Sequence, residues 1–432
     1  MKVKFVYPAF QRHAEAHPEL LDCVPCDEYF GPPSLGIASI AAMTPDDWEI
    51  DFRDDRLEDV GLDDDGDTLV ALSFFTAAAK RGLELCDAFR ARGKQVVVGG
   101  IFPTMMPEVA AQHADAVVVG EGEGVWHEVL RDAKAGQLKP RYRQQAPFEV
   151  CKLPLPRVDL YMEKEGRNFS PDDYPVQNSR GCPMRCSACV LPEQMGRKMR
   201  LFPVEHVLGQ IDQLAARGKR ASLTEDTAFF FGNGARRRFG ELLDALAERS
   251  EEPLVSYIGV SMPLILVTPD DFMKRLRAAG VKMFYLVGGF DPITQGAFTG
   301  KDDKALQRAY DAIKKSHDHG IEPYTSFLVG NEDDDAGVFD RMLEFGDRAK
   351  IQKAEFAVRT PYPGTPQWHQ LLAEDRILHR DWSRYNDAHV VFEPKHMTAD
   401  ELMQGYLYLW RQFYSSRSHL EELGHAERTI QF

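Results

Sequence analysis

The feature that most constrains the fold is an alternation of short β-type runs with helical runs, which occurs twice along the 432 residues. In the first series, the runs VVV at 96–98 and AVVV at 116–119 are apolar on both faces, as the strands of a parallel sheet covered by helices on both sides must be. Glycine-rich segments, Gly99-Gly100 and Gly120 to Glu123, follow two of these strands, at the place where such sheets bind ligands. The pattern predicts a doubly wound α/β domain over residues 1–140, with strands at 2–7, 48–53, 68–74, 95–98 and 115–119.

The second series begins at residue 176 and repeats more regularly. Its strand–helix units follow one another at a spacing of roughly 30–35 residues, which is typical of a partial or full TIM-type β/α barrel. One of its helices, at 204–217, places its apolar residues on one face and stops at Gly218. We therefore predict a barrel over 176–370, preceded by a proline-rich linker at 141–175 and followed at 371–432 by a helical cap rich in Trp, Tyr and His.

The charge balance and hydropathy exclude some classes of protein. The chain carries 52 Lys and Arg against 67 Asp and Glu, a formal net charge of −15, which argues against nucleic acid as a partner because phosphate binding needs clustered basic side chains. No apolar run is long enough for a transmembrane helix, and the N-terminal MKVKFVYPAF lacks the long apolar segment of a secretory signal. These features predict a cytoplasmic protein.

Three of the seven cysteines stand together in the run RGCPMRCSAC at 180–189. Cys182, Cys186 and Cys189 have the spacing C-x3-C-x2-C, so their thiolates can hold one corner of a [4Fe–4S] cluster, each on a different iron. The fourth iron then has no cysteine, and a chelating small molecule can occupy it. A structural zinc site needs a fourth Cys or His close by, and the next histidine, His206, lies inside a helical pattern.

The segment NSRGCPMRC before a barrel-like series resembles the signature of the radical S-adenosylmethionine (SAM) superfamily. The resemblance implies that SAM chelates the open iron and is cleaved to a 5′-deoxyadenosyl radical, which abstracts hydrogen from a substrate. It also implies a set of SAM-binding residues at the ends of the barrel strands. By position in this chain they are Glu225, Asp226, Ser256, Ser261, Asp291 and Ser326.

The resemblance extends to nearly the whole chain and points to one branch of the superfamily. An N-terminal Rossmann-like domain, the segments VVVGGIFPTMMPE and ADAVVVGEGEGVW, the PLPRVDLY linker and then RGCPMRC look like the branch with a cobalamin-binding domain. By resemblance, Ser73, Gly99, Gly100, Gly120 and Glu121 surround the nucleotide tail of cobalamin.

One departure from that branch concerns the lower ligand of cobalt. Domains that supply a histidine ligand carry D-x-H-x-x-G, whereas the corresponding stretch here, 54–61, reads DDRLEDVG. Arg56 stands where the histidine would be, and a guanidinium has no lone pair to donate. Two alternatives follow: cobalamin binds without a lower protein ligand, or the domain has lost the cofactor and serves as a scaffold.

The functional expectation therefore has two branches. The first is cobalamin-dependent methylation of an unactivated carbon, and the second is a cobalamin-independent oxidoreductase or hydroxylase acting on a tetrapyrrole of the bacteriochlorophyll type or another large apolar substrate. A non-enzymatic iron–sulfur carrier is the remaining hypothesis, although it calls for a fourth cysteine near the other three. The expected partners are a small molecule, tetrapyrrole or lipid-like, and a reductant such as flavodoxin or ferredoxin; the aromatic residues of the cap fit either a large flat substrate or ordinary helix packing.

Overall fold

The computed structural model of the chain describes residues 1–11, 16–20, 31–64, 66, 69–167, 169–223, 233–249, 253–286, 288 and 291–415. Within them lie two six-stranded parallel sheets and a short antiparallel ribbon. The predicted fold class is confirmed: a doubly wound α/β unit is followed by a partial β/α barrel and a C-terminal helical segment.

The N-terminal sheet has the strand order β2-β1-β3-β4-β5-β6. The order reverses at β1, because β2 pairs with one side of it and β3 with the other. This reversal creates a crevice at the carboxyl ends of β1 and β3, the usual ligand position of such sheets. The strands are β1 Lys2–Tyr7, β2 Glu49–Asp54, β3 Leu69–Ser73, β4 Val96–Gly99, β5 Ala116–Val118 and β6 Arg141–Tyr142.

Helices cover both faces of this sheet, as its doubly apolar strands require. Alternate residues of β3 and β4 belong to two different apolar clusters: Ala71 and Val97 pack on one face, Leu72 and Val98 on the other. The helices are α1 Leu35–Ala42, α2 Ala79–Ala91, α3 Ile101–Met105, α4 Pro107–Ala110 and α5 Trp126–Lys134.

The segment predicted as a linker is largely packed. Its first residues form β6, which extends the N-terminal sheet, and helix α6 Asp159–Met162 places Tyr161 fully inside the core. The Tyr161 hydroxyl donates to the Ser34 carbonyl oxygen at 2.8 Å, and thereby fixes the segment against the start of α1. Strand β7, Asp173–Pro175, already belongs to the second sheet, so that sheet begins before residue 176.

The second sheet has the sequential order β14-β13-β12-β11-β10-β7, all parallel, which is the topology of a half-barrel. Its strands after β7 are β10 Arg220–Leu223, β11 Val255–Val260, β12 Met283–Leu286, β13 Glu322–Val329 and β14 Lys353–Val358. The ribbon consists of β8 Ser179–Arg180 and β9 Arg200–Leu201.

Helices pack on the convex face of the half-barrel. The Phe327 ring of β13 lies 5.6 Å from that of Phe298 and 6.3 Å from that of Phe345, both in the helical layer. The helices of this part are α7 Leu191–Met195, α8 Val204–Ala215, α9 Asn233–Arg249, α10 Met262–Val267, α11 Asp270–Ala278, α12 Pro292–Ala297, α13 Asp303–Asp318, α14 Val338–Arg348, α15 Pro366–Ala373 and α16 Ala399–Ser415.

The C-terminal helix α16 closes the edge of the half-barrel. Its Trp410 and Phe413 meet the Phe356 ring of β14 edge-on, at 5.3 and 5.5 Å. A helix that combines the length and apolar character needed to span a membrane is absent from the described residues.

Candidate functional site

A cavity of about 320 Å³ lies at the crevice of the N-terminal sheet. Such a volume is at the lower end of the ~300–1,000 Å³ of small-molecule pockets. Its walls are mostly apolar and include the Phe5, Tyr7, Phe74 and Trp126 side chains. Burial raises the pKa of Tyr7 to about 12, so this phenol stays neutral at physiological pH.

The residues predicted to surround the cobalamin tail converge on this cavity. Ser73, Gly99, Gly100, Gly120 and Glu121 all line it. Arg56, which stands at the position of the lower cobalt ligand, is not among the lining residues.

Glycine is required where the backbone forms the wall. Gly100 has φ +95°, and a Cβ there would meet backbone atoms of Phe74 and the Ser73 hydroxyl at 2.9 Å. Gly120 has φ +84°, a conformation that side-chain-bearing residues rarely adopt. An apolar, aromatic-lined cavity with bare backbone in its wall fits a flat heteroaromatic group, such as the base of a nucleotide tail.

Arg56 lies behind the cavity wall rather than in it. Its Nε and Nη2 donate to the two Asp54 oxygens at 2.9 and 2.6 Å, and its Nη1 donates to the Gly31 carbonyl oxygen at 2.9 Å. The guanidinium also stacks over the Tyr7 ring at 4.8 Å. Because both side chains of the Arg56–Asp54 pair are almost fully buried, this arginine serves the packing of the N-terminal domain in the structure.

The cysteine loop closes the cavity from the barrel side. Arg180, which precedes the first cysteine motif residue by two positions, lines the cavity together with Leu191, Gln194 and Met195 of α7. The Ser187 carbonyl oxygen accepts from the Gln367 amide at 3.0 Å, so the loop also reaches the helix after β14. The loop therefore lies between the N-terminal crevice and the mouth of the half-barrel.

Cys182, Cys186 and Cys189 lie together on the loop between β8 and α7. Cys182 is buried, whereas Cys186 and Cys189 are partly exposed and joined by a turn in which the Cys189 amide donates to the Cys186 carbonyl oxygen at 3.3 Å. Within the described part of the chain, no three Cys, His, Asp or Glu side chains surround a single metal position. A cubane cluster does not require its ligands to surround one metal position, because each thiolate binds a different iron. The donor set, three thiols on one loop, fits a [4Fe–4S] cluster.

Two predicted SAM residues lie beyond the carboxyl ends of barrel strands. Ser261 directly follows β11 and precedes α10. Asp291 caps α12, accepting from the Ile293 and Thr294 amides at 2.9 and 3.2 Å. Burial raises the pKa of the Cys186 thiol, and the negative charge of Asp291 adds to the rise, which places this carboxylate close to the loop.

The other predicted SAM residues lie elsewhere. Ser256 is at the amino end of β11, where its hydroxyl donates to the Asp173 carboxylate, on the side of the sheet opposite the mouth. Ser326 lies within β13 and hydrogen-bonds the Tyr285 hydroxyl. Glu225 and Asp226 lie outside the described residues.

A polar group on the concave face of the half-barrel was not predicted. The Glu355 carboxylate accepts from the Tyr285 hydroxyl and, at 3.1 Å, from the Tyr324 hydroxyl. Burial raises the pKa of Glu355 to about 8, and the nearby charge of Asp387 contributes. A proton-carrying carboxyl group is thus held inside the half-barrel, on the same face as Ser326. The only signal in the sequence is a single acidic residue within the otherwise apolar run AEFAV.

Comparisons with known proteins point to the same superfamily as the cysteine motif. Residues 177–345 match the model of the radical SAM superfamily. The chain is 25% identical over 396 residues to bacteriochlorophyllide d C-12(1)-methyltransferase of Chlorobaculum tepidum, covering 90% of this chain and 84% of that protein. It is 27% identical over 375 residues to bacteriochlorophyllide d C-8(2)-methyltransferase of the same organism, covering 83% and 80%.

Among solved structures, the fold is similar to that of TsrM, a radical SAM methyltransferase of Kitasatospora setae. The TM-score is 0.64 at 16% identity, over 86% of this chain and 76% of that one. A second TsrM structure, with cobalamin and a [4Fe–4S] cluster bound, gives a TM-score of 0.62. At this identity the similarity shows the shared fold.

Proposed function

We propose that this radical SAM enzyme, whose residues 177–345 match the superfamily, binds cobalamin as well as a cluster and SAM. We further propose that it methylates an unactivated carbon of a small molecule. When bound, the cluster and SAM supply a 5′-deoxyadenosyl radical, and cobalamin supplies a carrier for the methyl group. The observation that carries the proposal is a cavity to which both halves of the chain contribute: its floor comes from the N-terminal sheet and its roof from the segment that follows the cysteines.

The chain's own residues have separate roles in this proposal. Cys182, Cys186 and Cys189 hold the cluster, and the Gly99-Gly100 wall holds the flat part of the cobalamin tail away from water. Ser261 and Asp291, which follow barrel strands at their carboxyl ends, would contact SAM. Arg56, locked onto Asp54, supplies no lower ligand, so cobalamin binds without one from this position.

The relatives support a class of substrate. Two of them are named for methylation of a bacteriochlorophyllide, a large flat tetrapyrrole. We extend that class to this chain, with a flavodoxin or ferredoxin as the reductant and the cytoplasm as the compartment. Tyr285, on the concave face of the half-barrel, is partly exposed and would offer aromatic surface to such a substrate.

The test is the cofactor content of protein purified and reconstituted with iron and sulfide under anaerobic conditions. We expect one cobalamin and one cluster per chain, with S-adenosylhomocysteine and 5′-deoxyadenosine both formed on turnover with a bacteriochlorophyllide. Formation of 5′-deoxyadenosine alone, without bound cobalamin, would favour the oxidoreductase alternative and refute the proposal.

A pair of glycine variants locates the cobalamin site. Gly36 of α1 lines the cavity, and its helical backbone accepts a side chain, the nearest atom to a new Cβ being the Ser73 hydroxyl at 3.7 Å. Gly36→Leu should fill the cavity and abolish cobalamin binding while leaving the iron content unchanged. Gly234→Leu, in α9 with open space around it, is the matched control and should retain both. Full cobalamin binding by Gly36→Leu would place the site elsewhere.

A further inference from the structure

The two ends of the cysteine loop lie side by side. Strands β8 and β9 pair antiparallel, with Arg180 opposite Arg200, so the chain leaves the ribbon at Arg180 and returns at Arg200 after the three cysteines. Gly181 has φ +82°, and a Cβ there would lie 2.4 Å from the Lys198 carbonyl oxygen. The two arms of the loop therefore run side by side in close contact just before the first cysteine.

One carboxylate of the N-terminal domain binds both arms. Glu121 Oε1 accepts from Arg180 Nη1 at 3.1 Å, and both Glu121 oxygens accept from Arg200 Nη1 at 2.9 Å. The side chains of Glu121, Arg180 and Arg200 are only 4%, 4% and 12% exposed, so the ion pairs are shielded from solvent. Removal of one partner from a shielded ion pair costs far more stability than removal of one partner from a surface pair, because it leaves a buried charge uncompensated.

Neighbouring groups complete the contact. Glu123 accepts from Arg180 Nη1 at 2.7 Å, so two carboxylates balance two guanidinium groups. Arg200 Nη2 donates to the Met195 carbonyl oxygen at 2.7 Å, which ties the end of α7 to the same group. Glu121, Arg180 and Met195 all line the N-terminal cavity as well. The wall of the cavity and the anchor of the cysteine loop are thus the same residues.

We infer that Glu121 is a positioning residue that couples the cysteine loop to the N-terminal cavity, so that a bound cluster and a ligand in the cavity favour each other. The inference rests on the proposed function, because it takes the ligand to be cobalamin. A ligand that fixes the position of Glu121 from the cavity also fixes the two arms of the loop, because Glu121 binds Arg180 on one arm and Arg200 on the other. By thermodynamic linkage, the cluster then strengthens cobalamin binding by the same factor as cobalamin strengthens cluster binding.

The test uses Glu121→Gln, which keeps the shape of the side chain and removes the charge that both arginines share. The dissociation constant of hydroxocobalamin is measured for cluster-loaded and cluster-free protein, and the EPR spectrum of the reduced cluster is recorded with and without SAM. The wild type should bind hydroxocobalamin at least about fivefold more tightly when the cluster is present. In Glu121→Gln the two constants should become equal, and the EPR spectrum should change.

Two further variants separate positioning from general stability. Glu108→Gln removes an ion pair with Arg141 in the same domain, but an exposed one, and should leave both readouts as in the wild type. Arg200→Lys keeps the positive charge but loses the hydrogen bond from Nη2 to the Met195 carbonyl oxygen, so it should reduce the coupling factor. This variant provides the test if Glu121→Gln does not fold.

The outcomes distinguish the inference from the function. Hydroxocobalamin binding that is insensitive to the cluster in the wild type, or equally sensitive in Glu121→Gln, overturns the inference and leaves the proposed function intact. Absence of cobalamin binding in the wild type refutes the proposed function; the EPR spectrum of Glu121→Gln then decides the positioning role, and an unchanged spectrum overturns it.

Discussion

Replacement of Glu355 by glutamine tests the proton-carrying carboxyl group inside the half-barrel. Burial raises the pKa of Glu355 from 4.5 to about 8. Because the folded-state pKa lies above the unfolded one, the native protein holds a proton between these values that the unfolded chain has lost. The free energy of unfolding should therefore fall as the pH rises through this window, and level off above about pH 8.

The size of the effect follows from the shift. Each pKa unit corresponds to about 1.4 kcal/mol, so a shift from 4.5 to about 8 gives a loss of about 5 kcal/mol across the window. The groups that face Glu355 are Tyr285 and Tyr324 on the neighbouring strands, with Asp387 contributing charge from the C-terminal segment. Glutamine is neutral throughout, so Glu355→Gln should gain stability relative to the wild type by about this amount as the pH rises.

The assay is urea unfolding followed by tryptophan fluorescence, from about pH 5 to about pH 9. Only the difference between the two proteins is interpreted, since Asp334, whose pKa burial raises to about 6, titrates in both and cancels. Glu241→Gln, at an exposed position of α9, is the control and should show no pH-dependent difference. A difference between Glu355→Gln and the wild type that is constant with pH would refute the reasoning.

Two other substitutions test the N-terminal domain. Gly100→Ala should cost about 1–3 kcal/mol of stability, because the backbone there is left-handed and the new Cβ would lie 2.9 Å from its neighbours. Gly136→Ala, also at positive φ but with open space around it, is the control and should cost only about 1–2 kcal/mol. Thermal unfolding compares the two variants, and equal costs would contradict the close packing at Gly100. Arg56→Leu should destabilise the protein by about 3–5 kcal/mol, because it leaves the Asp54 carboxylate buried without its partner. In urea unfolding, the double variant with Asp54→Leu should recover much of that loss. No recovery would mean that the loss does not come from the unpaired Asp54.

Much of the fold could be read from the sequence because the signals are local. Apolar runs such as VVV at 96–98 mark strands covered on both faces, and the repeat of strand–helix units marks the half-barrel. The cysteine spacing is local as well, since its three thiols lie on one loop. The packed state of residues 141–175 could not be read in this way, because its prolines resemble those of a linker and its contacts, such as Tyr161 with Ser34, are 127 residues apart.

The sequence by itself therefore determined the two α/β units and the cysteine motif, whose periodicities and spacings are set within a few residues. Only the tertiary structure decided which polar residues meet. It brings Glu121 to Arg200, 79 residues away, and Glu355 to Tyr285, 70 residues away. It also places Arg56, which stands at the sequence position of a lower cobalt ligand, behind the cavity wall. It also separates Ser261, at the mouth of the half-barrel, from Ser256, at the opposite end of the same strand. The physical reason is that a buried charge is stable only beside a partner, and the order in which strands assemble into sheets selects that partner from distant parts of the chain.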